Sequence, residues 1–256
     1  MAEDIAPALH DKIEKDFLRM VAADAEIDRI RERIAKKRAT HRDTQLFSIR
    51  IGDHAADALS KNIREDILPD GRLYYNIANR TVRPQLETNF EMISDVAVEI
   101  QQQLNDAAGI RLKAQRAPIA EDRLRGLIDK MSSYQLFGAA AWLLAEPVKN
   151  WTQHAADDII SENADFQSRS GILVTITREV YANCCEWCEE AAGSFEFGEQ
   201  PDNFYQRHEF CRCMISSKSQ KTGKASSVYS SRMRDAETNA RIERINALAA
   251  AADQRG

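Results

Sequence analysis

The five cysteines of this 256-residue chain all fall between positions 184 and 213, in two clusters. The first is Cys184-Cys185-Glu-Trp-Cys188 and the second is His208-Glu-Phe-Cys211-Arg-Cys213. A Cys-x-x-Cys knuckle supplies two thiolates from one tight turn, and a later cluster can complete the closed tetrahedral shell that Zn²⁺ takes. The expected ligands are Cys185 and Cys188 with two or more of His208, Cys211 and Cys213. Cys184 is the expected bystander, because Cys185 already stands at the favoured spacing from Cys188. Two other readings compete: disulfides between the clusters, and free buried thiols. Disulfides need an oxidising compartment, and the acidic start Met1-Ala-Glu-Asp4 lacks the apolar stretch of an export signal. The ligand types and their spacing therefore favour zinc or a similar soft-ligand metal.

The rest of the composition bounds the function. With 29% charged residues, 7% aromatics and a formal net charge of -5, the chain reads as a soluble protein able to bury one large core or two modest ones. No membrane span is expected, since the longest apolar run, Leu136 to Ala145, is broken by Gly138 and falls short of the ~20 residues a bilayer requires. The mild acidity weighs against a surface devoted wholly to nucleic acid, and leaves a local basic patch open.

The expected fold is mainly α: a helical amino-terminal region with a small zinc-stapled α+β carboxy-terminal module. Apolar residues recur at helical spacing from Ile5 to Ile34, which predicts one long amphipathic helix or a helix pair. Further helical patterns run from Ile51 to Ile67, from Val82 to Leu104, and from Leu124 through Trp142 until Pro147. Between them, Leu68-Pro-Asp-Gly71 has turn chemistry, and Gly109 and Pro118 punctuate the chain. The texture changes after Ser170, where Gly171 to Thr177 is short and β-branched and predicts a strand. The organisation so read is a helical region at 1–170, a Cys/His module at 171–215, and a polar linker with a terminal helix at 216–256. A unit as small as the module is marginal alone, which gives a metal staple a physical purpose.

Other constellations are weaker. His154 and Asp158 stand at i, i+4 on a helical pattern, but no second histidine follows at zinc-protease spacing, so an exposed pair is the simpler reading. Arg207, Arg212 and Lys218 beside the clusters either touch phosphates or only solubilise the module. The order of a zinc deaminase fails, because Cys-x-x-Cys precedes His208. No phosphate loop, nucleophile elbow or dinucleotide fingerprint is present.

The arrangement Cys185-Glu-Trp-Cys188, Ala192-Gly193, then Arg207-His208-x-x-Cys211-Arg-Cys213 resembles the carboxy-terminal signature of phage minor head proteins of the Mu F-like, head-morphogenesis type. Leu68 to Ala78 and Asn150 to Phe166 are similar to stretches of minor capsid proteins from phages and prophages of Gram-positive bacteria. The resemblance implies a low-copy virion component that associates with the portal or the inner capsid surface during head assembly in the host cytoplasm. The portal or major capsid protein is the expected partner. No enzymatic activity is expected, since nothing catalytic-looking follows Cys213 and a closed thiolate shell leaves no open site. The resemblance leaves contact with packaged DNA open. The amino-terminal helices are the expected docking element, the other reading being that their stripe from Leu9 to Ile34 packs internally on the Val82 to Leu104 helix. The alternative from another class is a zinc-dependent nucleic-acid-binding protein or nuclease, with Arg207, Arg212 and the Lys218 to Lys224 tail on phosphates.

Overall fold

The computed structural model describes residues 4–180 and 185–220. The expected terminal helix, the lysines at 221 and 224, and Cys184 lie outside them. Among the described residues the chain is mainly helical, with a small three-stranded antiparallel sheet beyond residue 170; the sequence predicts this fold class and the first of the strands. Among the described residues no helix is long and apolar enough to cross a membrane.

The first apolar stripe forms a helix pair, α1 (Ala6–Ala22) and α2 (Ala25–Ala35). Asp24 separates them and caps α2, its Oδ1 accepting from the backbone N–H groups of Glu26 at 2.8 Å and Ile27 at 3.3 Å. Its Oδ2 meets Arg50 Nε and His54 Nε2, each at 2.6 Å. Burial pushes this carboxyl up, but His54, Arg50 and the two backbone donors together hold it down at about 2.

Helix α3 spans His41–Asn62. It begins ten residues before the Ile51 start expected from hydrophobic spacing and stops before Ile67, which sits in a short 3-10 turn at Glu65–Ile67. Its missed first half buries polar side chains, among them His41, Asp43, Gln45 and Ser48, so no apolar stripe marks it. A capping box between Thr40 and Asp43 starts the helix. Helix α4 (Tyr75–Ala107) likewise begins before Val82, after the Pro69–Gly71 turn in which Asp70 and Gly71 take positive φ of 53° and 66°. The expected run from Leu124 to Pro147 is also corrected. Helix α5 stops at Ser132 (Glu121–Ser132), two 3-10 turns follow at Phe137–Ala139 and Ala141–Leu144, and Pro147 opens α6 (Glu146–Arg169) rather than ending a helix. Proline in a first turn removes only an N–H that has no helical acceptor.

Helices α3, α4 and α6 pack on one another, and α1 and α2 cover α3 and α4. Leu9, Ile13, Phe17, Val21, Ile27 and Ile30 are all at most 4% exposed and belong to the common core. The apolar face of that stripe is therefore spent internally, the second of the two readings it allowed.

The sheet joins β1 (Leu173–Glu179), β2 (Gly193–Glu196) and β3 (Met214–Gln220) in the order β2-β1-β3. The short helix α7 (Glu186–Glu190) lies between β1 and β2. The change of texture at Ser170 falls in the turn between α6 and β1, yet the core crosses it: Val174, Ile176, Phe204 and Ile215 pack with Ile160 and Ala164 of α6. A buried polar relay fastens β3 as well. The Ser217 N–H donates to His41 Nδ1 at 3.0 Å, which leaves His41 Nε2–H to donate to Gln101 Oε1 at 2.9 Å. Gln101 and Gln167 both donate to Asn105 Oδ1, and the Ser219 hydroxyl donates to Gln167.

Two outcomes follow for stability. Deleting residues 1–38 bares the apolar faces of α3 and α4, so size-exclusion chromatography should find aggregate, where a docking appendage would leave soluble monomer. Burial holds the imidazole of His41 below its ordinary value, more than its bond to Gln101 restores. His154 is shifted the same way, mainly by burial. The unfolded chain therefore binds protons the folded chain does not, and stability declines as pH falls below about 6.5. Urea midpoints between pH 7.5 and 5.5 should fall for the wild type, and fall less steeply for His41→Gln.

Candidate metal centre

Cys185 is the N-cap residue of α7, and Cys188 lies one turn inside it. The Cys188 N–H bonds to the Cys185 carbonyl at 2.9 Å, which folds the knuckle so that both sulfurs face one side. The second cluster arrives on the loop before β3, where the Cys211 N–H bonds to the His208 carbonyl at 3.1 Å. Phe210 takes a positive φ of 61° inside this loop, and its N–H is held by Glu146 Oε2 at 3.1 Å.

All five expected ligands converge. Cys188 Sγ lies 2.8 Å from His208 Nε2, 3.3 Å from Cys213 Sγ and 4.0 Å from Cys211 Sγ. Cys185 Sγ is 3.2 Å from the same His208 nitrogen. These separations bracket the edges of about 3.8 Å expected between sulfurs bound to one tetrahedral ion at about 2.3 Å. The donors form two triangles, Cys185-Cys188-His208 and Cys188-Cys211-Cys213, that share Cys188. No four of them are mutually within 4.8 Å, so one tetrahedral ion would draw the triangles together across Cys188. His208 Nδ1 faces the Glu209 carbonyl at 2.6 Å and donates to it, which turns Nε2 toward the sulfurs as an acceptor. Cys188, Cys211 and Cys213 are buried and Cys185 is exposed. The cysteines so placed are free thiols rather than disulfides, and the cluster can hold a metal ion.

The electrostatics favour the thiolate at Cys211 and the thiol at Cys188 and Cys213. The hydrogen bond from Cys213 pulls the Cys211 thiol well below its ordinary value, with help from Arg207 and Arg178. The same bond, together with burial, pushes Cys213 up, and burial raises Cys188.

Arg207, expected to meet phosphates or solvent, does neither. Its side chain is 1% exposed and forms a fork on Asp157 of α6, with Nε to Oδ2 at 2.6 Å and Nη2 to Oδ1 at 2.8 Å. The remaining donors reach Gln45 Oε1 of α3 at 3.0 Å, Gln153 Oε1 at 2.9 Å and the Cys213 carbonyl at 3.1 Å, with Cys211 Sγ at 3.9 Å. Burial alone would push the Asp157 carboxyl up, but Arg207 outweighs it and holds the group below its ordinary value. Arg212 is also committed, to Glu146 and Asp53, while Lys218 is exposed on β3. The His154 and Asp158 pair does not form: Asp158 binds Arg123 at 2.8 Å, and His154 lies 4.0 Å from Asp157 instead.

Sequence reading missed Arg178, whose Nη2 lies 3.8 Å from Cys188 Sγ and 3.7 Å from Cys211 Sγ. A signal was there, since Val174, Ile176 and Arg178 share one face of an alternating strand. It also missed Asp157, which nothing in its own helix distinguishes from Asp158. No family model, no curated protein and no solved structure matches the chain.

Asp157→Ala leaves Arg207 charged and unpaired inside the protein. Breaking a buried pair on one side costs about 3–5 kcal/mol. Urea unfolding of this variant should show a loss of that size, while Asp158→Ala, which breaks a partly exposed pair, should lose under about 1 kcal/mol.

Proposed function

We propose that the protein is a structural minor capsid component of a bacteriophage, active in head morphogenesis, whose carboxy-terminal module is stapled by one zinc ion. The observation that carries this reading is the convergence of Cys185, Cys188, His208, Cys211 and Cys213 into one soft-donor cluster, in the spacing that resembles the head-morphogenesis signature. Zinc is the metal because thiolates with an imidazole in a tetrahedral setting suit it better than they suit magnesium, calcium or manganese.

The chemistry proposed is binding and assembly rather than catalysis. A catalytic zinc keeps an open position and a nearby general base. Here the donors exceed the four an ion takes, and two carboxylates of α6 that face the cysteine loop are engaged: Asp157 by Arg207, and Glu146 by Lys149, Arg212 and the Phe210 N–H. The nucleic-acid alternative is less well supported, because Arg207 is bound to a carboxylate inside the protein and Arg212 is paired. The partners proposed are the portal or the major capsid protein, in the host cytoplasm during assembly and then in the virion. Docking by the Leu9 to Ile34 stripe is not part of this proposal, as that face is buried.

Protein purified without added metal should contain about one zinc per chain by elemental analysis, and Cys188→Ser should lose it. The assembly role is tested by co-expression with portal and major capsid proteins, if its gene lies beside genes for them: the chain should co-purify with them and be incorporated into heads. A protein that carries zinc but is excluded from heads would refute the assembly role alone. A fully folded, metal-free protein would refute the staple.

A further inference from the structure

Arg178 occupies the third buried position of β1, after Val174 and Ile176, where the alternation of a half-buried strand calls for an apolar side chain. It is 2% exposed. Its Nη1 donates to the carbonyls of Asn203 at 3.3 Å, Phe204 at 2.5 Å and Gln206 at 2.8 Å. Its Nη2 faces the sulfurs of Cys188 and Cys211, and the Trp187 ring covers the guanidinium with its centroid 5.4 Å from Cζ. Arg178 Nε has no hydrogen-bond partner among the described residues.

The two buried arginines beside the cluster thus differ in kind. Arg207 brings its own counter-ion, Asp157. Arg178 brings none: among the described residues every acceptor it meets is a neutral carbonyl or a cysteine sulfur. A guanidinium stays protonated at any pH a protein survives, and an unpaired buried charge is strongly destabilising. The groups facing Arg178 that can carry a compensating negative charge are the sulfurs.

We propose that Arg178 is the buried counter-cation of the metal centre, a positioning residue that holds the sulfurs of Cys188 and Cys211 by N–H···S bonds and cancels the net charge of the bound cluster. This rests on the metal reading above. The charge count adds a ligand assignment. A divalent ion with three thiolates and one neutral imidazole carries one net negative charge, which one guanidinium cancels, whereas four thiolates would leave a negative charge uncompensated inside the protein. The balance favours His208 as a ligand with three of the four described cysteines, the remaining sulfur staying a neutral thiol. Hydrogen bonds to charged acceptors are the strong ones, and groups that orient metal ligands typically carry a factor of about 10–100 in affinity.

The test uses the full chain and measures zinc affinity by competition with a chromophoric chelator. Arg178→Gln keeps a donor but no charge, and should bind zinc about 10–100-fold more weakly than the wild type. Arg178→Lys restores the charge without the fork, and should stay within about tenfold of the wild type. In the cobalt-substituted protein the thiolate-to-metal charge-transfer band should move to lower energy in Arg178→Gln, because a thiolate that loses its hydrogen bond is a stronger electron donor. Wild-type affinity in Arg178→Gln, or equal weakening in both variants, would overturn the proposal; equal weakening would mean that only the fork on the three carbonyls matters. Should Arg178→Gln fail to fold, Arg178→Lys decides alone: retention within tenfold supports the counter-cation, and a hundredfold loss refutes it. A wild-type chain that binds no zinc is a different result, and would remove the metal reading itself.

Discussion

The fork between Arg207 and Asp157 is the contact on which the relation of the two parts of this protein depends. Asp157 is on α6, in the centre of the helical body, and Arg207 is on the loop that delivers His208, Cys211 and Cys213. Both side chains are withdrawn from water, so neither can relax into solvent if the other is lost. Gln45 donates to the same carboxylate at 2.8 Å and accepts from the same guanidinium, which ties α3 into the contact. The cysteine loop is therefore held by the helices through directional, charged hydrogen bonds as well as by apolar packing.

That contact is one part of a wider polar seam between α3, α4 and α6. Gln85, Asn89 and Thr152 form one chain of bonds across it, and His41, Gln101, Asn105 and Gln167 form another that reaches β3. Apolar contacts alone would let three helices slide or rotate with little penalty. A buried hydrogen bond is lost outright by such a shift, and the unsatisfied group left behind costs about 1–3 kcal/mol. The seam thus sets the register of the helices, and through His41 and Gln167 it places the strand that follows the cysteine loop.

The centre itself inverts the usual division of labour in a small module. Its sulfurs are mostly buried, and the guanidinium groups of Arg178 and Arg207 lie beside them inside the protein. Arg207, which looks like part of a phosphate-binding surface in the sequence, is turned inward, and the surface of α7 presents Glu186 and Glu190. This arrangement favours a module that is itself held in shape over one that grips a polyanion, and it underlies the assembly role proposed here.

The sequence by itself determined the class of the fold, the helical stripe at its start, the strand after Ser170 and the five residues that gather at the centre. Each of these rests on local rules: apolar spacing marks Leu9 to Ile34, β-branched residues mark β1, and a Cys-x-x-Cys turn needs only its own backbone to aim two sulfurs together. The first half of α3 was illegible because its buried face is polar, and Pro147 misled because the same residue that stops a helix can also start one. Only the tertiary structure decided that the first stripe is covered internally, that Asp157 and not Asp158 faces the cysteine loop, and that the side chains of Arg178 and Arg207 are withdrawn from water beside the sulfurs. A charged residue reads as exposed until its partner is known, and these partners come from segments far apart in the chain, so no local pattern encodes them.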